Sequence, residues 1–228
     1  SKTKNGVFNK WFWNFGDAAT ASIQNPTHRY STASINTITF FAQTDLGCYT
    51  DTIKKQIEVF AYPVISAGPD LFVLDDGQKK IQSAATGRII SYTWTPSIYL
   101  SDTTILQPTI IKPKEDTYYY LAVKGRGACT SKDTLFIVSL AMPKPPNTFT
   151  PNGDGINDTW EIKYLDQYEG CVIEVYNSTG QLLYNNTGYT KPWDGNYKGS
   201  PVPSGTYYYV IDPKNGRKKI AGYVTILR

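Results

Sequence analysis

Thr206-Tyr207-Tyr208-Tyr209-Val210-Ile211, then Asp212-Pro213-Lys214-Asn215-Gly216, then Gly222-Tyr223-Val224-Thr225-Ile226-Leu227 reads as strand, turn, strand. β-branched and aromatic side chains suit a pleated, half-buried surface. Between the two runs, Pro pre-sets one backbone angle, and Asn and Gly accept the positive φ of a tight turn. The same signal recurs upstream. Residues 35–41, 53–60, 118–123, 135–140 and 172–176 are β-branched or aromatic runs bounded by turn residues. No window of a dozen residues keeps a 3.6-residue apolar period without Pro or Gly intruding. The fold class this predicts is all-β.

A chain of 228 residues suits two or three modules, and 40% hydrophobic residues are enough to give each a core. Eighteen Tyr against one Met again favours strands over helices. Joints at Tyr62-Pro63 and at Met142-Pro143-Lys144-Pro145-Pro146 divide the chain into residues 1–62, 63–142 and 143–228. The second joint reads as a semi-rigid spacer, because consecutive prolines fix φ. Lys/Arg against Asp/Glu come to six and four, eight and seven, and nine and eight, giving +2, +1 and +1. A nucleic-acid binder concentrates positive charge on one module, and none does so here. The basic run Arg217-Lys218-Lys219 follows a turn and reads as a solvated strand end. Cys48, Cys129 and Cys171 fall one to each third, so no module closes its own disulfide, and buried free thiols are expected. No apolar run approaches the ~20 residues that cross a bilayer, and no secretory leader is recognisable.

An internal repeat spans the first joint. Trp13 and Trp94 are 81 residues apart (94 − 13), and so are Cys48 and Cys129 (129 − 48). Cys48-Tyr49-Thr50-Asp51-Thr52 and Cys129-Thr130-Ser131-Lys132-Asp133-Thr134 each lead into a β run. Two landmarks at one offset predict two copies of an immunoglobulin-like sandwich, with a core Trp on an early strand and a Cys near the penultimate one. Trp94 lies 31 residues past Pro63 but Trp13 only 12 past Ser1, so the first copy is expected to be N-terminally truncated, the chain belonging to something longer.

Trp13-Asn14-Phe15-Gly16-Asp17, with Asn25-Pro26-Thr27-His28-Arg29-Tyr30, resembles the PKD family of immunoglobulin-like domains. Ala18 stands where that family usually has a second Gly, which weakens the expectation of a tight turn there. The resemblance implies an extracellular spacer or adhesive module.

Catalysis finds little support. His28 is the one histidine, and as a general base it has no nucleophile motif to serve, so it reads as a turn residue leading into Tyr30. Glu58, Glu115, Glu161, Glu169 and Glu174 are scattered, several in strand-like alternation as solvent-facing positions. Tyr118-Tyr119-Tyr120 and Tyr207-Tyr208-Tyr209 suggest a sugar platform, but consecutive strand residues face opposite ways, so neither triplet makes one flat surface. Carbohydrate binding by the upstream modules, or service as the accessory tail of a secreted hydrolase, stay as alternatives.

Asn147-Thr148-Phe149-Thr150-Pro151-Asn152-Gly153-Asp154-Gly155-Ile156-Asn157-Asp158-Thr159-Trp160 opens the last module. Val175-Tyr176-Asn177 with Gly180, Trp193-Asp194-Gly195, Pro203-Ser204-Gly205-Thr206-Tyr207 and the closing run Gly222 to Arg228 follow. In order and spacing, residues 146–228 resemble the type B, gliding-motility-associated (CHU_C-like) C-terminal sorting domain of the type IX secretion system of Bacteroidetes. Ser178-Thr179 departs from the Arg-Trp pair of many relatives. The resemblance implies a sorting signature made of Asn152, Gly153, Asp154, Gly155, Asn157, Asp158, Trp193, Asp194, Gly195, Pro203, Gly205, Tyr207, Gly222 and Arg228. It also implies export across the outer membrane, an outer-membrane β-barrel partner of the PorP/SprF family with translocon components, and an adhesin-like parent of the SprB type. The fold expected is tandem immunoglobulin-like/PKD β-sandwiches followed by a C-terminal β-sandwich.

In that module Trp160 should anchor the first strand, and the final strand, as an end strand, can pair with a partner's edge. Asn152, Asp154, Asn157 and Asp158 are hard oxygen donors within seven residues, with Asp194 able to approach, so calcium is one reading of the loop. An Asx-turn network is the other. Ile156, at the fifth position, excludes an EF-hand.

Overall fold

A computed structural model describes residues 6–228. Among them the regular elements are strands, apart from two three-residue 3₁₀ turns at Arg126–Ala128 and Leu165–Gln167. The all-β reading holds, as tandem β-sandwich modules. Each run read from the sequence lies within a strand or ends one residue beyond it.

β1 (Phe8–Asn14), β2 (Thr20–Ala21), β3 (Ser34–Thr44) and β4 (Ile53–Val59) form a sheet in the order β2-β1-β3-β4. Its register sets Trp11 opposite Ala42, Trp13 opposite Phe40 and Phe40 opposite Ile53, so one face is apolar. Trp13 meets the Phe40 ring at 4.2 Å. It is only half-buried, unlike the core Trp expected, because the described strands of this segment supply a single sheet against it.

Next come β5 (Val64–Ser66), β6 (Leu71–Leu74), β7 (Gln78–Lys80), β8 (Ala84–Thr86), β9 (Ile89–Thr95), β10 (Thr109–Ile111), β11 (Thr117–Gly125) and β12 (Thr130–Leu140). They make a four-stranded sheet, β6-β12-β11-β9, and the pairs β5-β8 and β7-β10. Trp94, on β9, is 1% exposed. The repeat has a structural counterpart. Trp13 Nε1 donates to the Ile23 carbonyl ten residues on, and Trp94 Nε1 to the Ile105 carbonyl eleven residues on. Cys48 lies between β3 and β4, and Cys129 between β11 and β12. Of the three thiols only Cys171 is buried. Cys48 is exposed because its turn, closed by Gly47 N–H on the Thr44 carbonyl, carries it off the sheet.

Proximity in space groups the described residues into two compact units. One holds the described residues up to 66, with 84–93 and 121–133; the other holds 67–83, 94–120 and 134–228.

Within the second unit, β13 (Thr148–Phe149), β14 (Val172–Tyr176), β15 (Leu182–Thr187), β18 (Gly205–Asp212) and β19 (Ile220–Ile226) form a sheet ordered β13-β19-β18-β14-β15. β16 (Asn196–Tyr197) and β17 (Ser200–Pro201) make a small hairpin. Period-two alternation sends Ile173, Val175, Tyr207, Tyr209, Ile211, Val224 and Ile226 to one face. Trp160, Ile162, Leu165, Tyr168 and Trp193, from irregular segments, cover that face and complete the core. Trp160 and Trp193 are each 1% exposed and pair with each other in an isolated antiparallel bridge. Trp160 thus anchors the covering layer and not a first strand, which is β13. The terminal strand β19 lies inside the sheet, between β13 and β18, so the sheet's edges are β13 and β15 and not the last strand.

The proline run 142–146 is also packed down. Lys144 N–H donates to the Lys163 carbonyl at 3.0 Å, and Trp160 Nε1 to the Pro146 carbonyl at 2.7 Å. Leu140, just before the run, belongs to the same core. A segment whose carbonyls and flanking side chains are engaged in this way is not a free spacer.

Candidate functional site

The loop 150–158 forms from residues that bond their own backbone. Asn152 Oδ1 accepts Asp154 N–H at 3.1 Å, and Asp154 Oδ1 accepts Ile156 N–H at 2.7 Å. Asn152 Nδ2 donates to Asp154 Oδ2 at 2.8 Å. Asp158 closes the loop, its two carboxylate oxygens accepting Gly153 N–H at 2.6 Å and Gly155 N–H at 2.7 Å. Those two backbone bonds hold the Asp158 pKa below its ordinary value. Gly153 and Gly155 have φ of +83° and +85° and Asn157 of +55°, which is why these residue types stand here. Thr150 N–H on the Asn157 carbonyl pins the loop to the chain after β13.

Trp193-Asp194-Gly195 follows the same logic. Asp194 accepts both the backbone and the side-chain N–H of Asn196 at 3.0 Å, and Trp193 Nε1 donates to the Asn196 carbonyl at 3.0 Å. The Trp193 ring lies among Phe149, Tyr184 and Tyr207. Gly195 is buried with φ +73°, and a Cβ on it would meet Ile226 Cδ1 and Pro151 Cγ at 3.2 Å and Arg228 Nη2 at 3.3 Å.

Arg228 joins these phrases. Its guanidinium donates to the carbonyls of Gly195 at 3.1 Å, Pro151 at 3.4 Å and Val202. Tyr207 donates its hydroxyl to the Pro203 carbonyl at 2.7 Å, and burial pushes its pKa up. Gly205, with φ +153°, opens β18 opposite Ile226. The structure thus gathers Gly195, Pro203, Gly205, Tyr207, Trp193 and Arg228 at one end of the sheet, beside Pro151 and the Asn152–Asp158 loop. Gly222 stands apart, further along β19, where a Cβ would sit 2.5 Å from the Tyr209 hydroxyl. Val202 and Pro151, two of the three carbonyl acceptors, were not singled out by sequence. A backbone acceptor carries no side-chain signal, so no pattern of residue types marks it.

Elsewhere the residues offer little chemistry. Among the described residues no group of three or more His, Cys, Asp or Glu comes together. His28 Nε2 lies 2.7 Å from Asp17 Oδ2, and its ring stacks on Phe15 at 4.2 Å with Tyr30 edge-on at 4.6 Å. That is a packed residue and not the plain turn position expected. The His28 bond is the chief cause that holds the Asp17 pKa below its ordinary value. Tyr119 is fully buried between exposed Tyr118 and Tyr120, and Tyr208 is exposed between buried Tyr207 and Tyr209, as strand alternation requires.

Arg217 departs most from its sequence reading. Far from being solvated, its side chain is 4% exposed, while Lys218 and Lys219 beside it face solvent.

The CHU_C type IX secretion signal domain model matches residues 143–226, and the PKD domain model matches residues 1–59. No curated protein matches the chain. Among solved structures it is similar to extracellular domains 3-5 of Drosophila OTK, at 10% identity over 100% of this chain and 87% of that one, TM-score 0.37. It is similar to the I-band fragment I67-I69 of titin, at 11% identity over 97% and 92%, TM-score 0.44. It is similar to the N-terminal eight Ig domains of Down Syndrome Cell Adhesion Molecule, isoform 1.30.30, at 11% identity over 96% and 39%, TM-score 0.47. Both matched families are non-catalytic modules. Among the described residues no helix is long and apolar enough to cross a membrane. Residues 1–59 are a PKD domain and residues 143–226 a CHU_C type IX secretion signal domain, which marks the chain for export to the cell surface.

Proposed function

We propose that residues 143–228 deliver an adhesin-like surface protein across the outer membrane, and that residues 1–62 and 63–142 are spacer modules between this signal and an effector region. In this reading an outer-membrane β-barrel of the PorP/SprF family, with translocon components, reads the folded signal, and the protein is not an enzyme. The parent protein fits a gliding adhesin of the SprB type. The observation that carries the reading is the convergence of separate sequence phrases on the Arg228 guanidinium, beside an internally bonded Asn152–Asp158 loop. Such an end presents a fixed surface of loops, suited to recognition and not to chemistry. The test fuses a periplasm-directed reporter to residues 1–228, or to residues 1–142, in a bacterium with this secretion system. The longer fusion should reach the cell surface and the shorter should stay in the periplasm. Periplasmic retention of both, with the machinery intact, rejects the proposal.

A second reading, polysaccharide binding by the upstream region, has one observation in its favour. Phe72, Tyr118 and Tyr120 are all more than half exposed, and the Tyr118 ring meets Phe136 at 4.4 Å. Aromatic faces of this kind stack on sugar rings. Glycan-array binding by the whole chain that is lost in Tyr118→Ala would establish it.

A further inference from the structure

Arg217 occupies the turn between β18 and β19, yet most of its partners lie far away in sequence. Its Nε donates to the Tyr168 hydroxyl at 2.7 Å. One terminal nitrogen donates to Asp75 Oδ1 at 2.7 Å and to the Leu140 carbonyl at 3.0 Å. The other lies 3.3 Å from Asp76 Oδ1. Burial works against its charge, but the bonds to Asp75 and Tyr168 outweigh that and raise its pKa. A buried cation is tolerated only when it is paired and hydrogen-bonded, as it is here.

Asp75 follows β6, and Leu140 ends β12. Both lie outside the 143–226 match but inside the compact unit that holds it. The contacts there are dense. Asp75 N–H donates to the Leu140 carbonyl at 3.0 Å, and Ala141 N–H to Gln167 Oε1 at 3.0 Å. Tyr168 donates its hydroxyl to the Ala141 carbonyl at 2.7 Å. Leu140 sits in the core with Phe149, Trp160 and Trp193, and Leu74 and Val138 pack against it. One core and one buried cation thus span the joint at 142–143.

We infer that the export signal of this chain is a two-part unit, the matched domain with residues 67–83 and 134–142 docked on it, and that Arg217 is the positioning residue that holds the two parts together. The export half of this inference rests on the sorting proposal above; the docking half stands without it. Asp75, Asp76 and Leu140 lie outside the residues that match the signal domain, so the attachment is built by the flanking segments of this chain together with that domain.

The experiment uses residues 1–228 as wild type, Arg217→Met and Asp75→Asn, each behind the same reporter. Hydrogen exchange of residues 138–144 is followed alongside surface delivery. Losing the Arg217–Asp75 ion pair should weaken protection at 138–144 by at least about tenfold in both variants. Residues 207–211 should keep their protection in Asp75→Asn, and both variants should be delivered less efficiently than wild type. Should Arg217→Met fail to fold, Asp75→Asn carries the test, since its side chain is already 25% exposed. Unchanged protection and unchanged delivery in Asp75→Asn overturn the inference and leave the sorting proposal standing. A wild-type fusion that is never delivered overturns the sorting proposal and the export half together. Lowered protection in the variants would still support the docking half.

Discussion

Ala18 holds a backbone conformation that suits glycine. The turn it belongs to keeps φ +72° although the side chain has a Cβ. A Cβ in the left-handed region crowds the following carbonyl, and Gly removes that clash at some cost in chain entropy. Ala18→Gly should therefore stabilise its unit by about 0.5–1 kcal/mol, read as a higher urea midpoint. Asp158 carries a pH dependence of definite sign. Its folded pKa lies below the ordinary 3.8, so its stabilising effect is complete above pH 3.8 and is lost as pH falls through the lower, folded value. Urea midpoints taken from pH 7 downward should drop in the wild type below pH 3.8 more steeply than in Asp158→Asn, which cannot titrate. At this scale the sequence was legible wherever a residue type has one dominant use. Asn215 and Gly216 announced the positive φ of a tight turn, and both have it. Arg217 was illegible, because a basic residue after a turn looks solvated until the fold brings Asp75 and Tyr168 to it.

Strand-scale patterns were the most readable part. Alternation within β18 put Tyr207, Tyr209 and Ile211 in the core, as period-two geometry demands. The run Asp212 to Gly216 makes the turn, with Arg217 N–H on the Lys214 carbonyl at 3.1 Å and Lys214 and Asn215 both at positive φ. What no single strand reveals is its neighbour's register. Tyr208 pairs with Tyr176 on one side and Tyr223 on the other, so tyrosines from three separate phrases share one row of the sheet's outer face. Position within the sheet was hidden for the same reason, and β19 lies inside it although it is the last strand. One close approach gives an element-scale prediction. A Cβ at Gly222 would lie 2.5 Å from the Tyr209 hydroxyl and 2.8 Å from Cζ. Gly222→Ala should destabilise the β18-β19 pair by about 1–3 kcal/mol, and Tyr209→Phe in the same chain should restore part of it. Chemical denaturation of the single and double variants measures both.

For the whole molecule, the core that runs from Leu140 to Trp193 matters more than the joint that interrupts it in sequence. Trp160→Ala should cost about 3–5 kcal/mol, seen as loss of a cooperative thermal transition in the unit that contains residues 134–228. The carboxylates of Asp154 and Asp158 already accept backbone or amide N–H bonds, so removing divalent cations with a chelator should leave the melting temperature unchanged. A chelator-dependent drop would mean that calcium displaces those bonds. Module order and fold class were legible in the sequence because both rest on local runs and spacing. The continuity of packing past Met142 was not, since consecutive prolines describe a stiff backbone and say nothing of what the flanking side chains touch.

The uneven burial of the five tryptophans makes the protein its own optical probe. Trp94, Trp160 and Trp193 are each 1% exposed, whereas Trp11 and Trp13 are half-buried. Indoles shielded from water emit at shorter wavelength and resist collisional quenchers, so the emission should separate into an acrylamide-resistant blue component and an accessible red one. Because Trp11 and Trp13 lie in one compact unit and the other three in the second, loss of each component on heating would time the opening of each unit without any label.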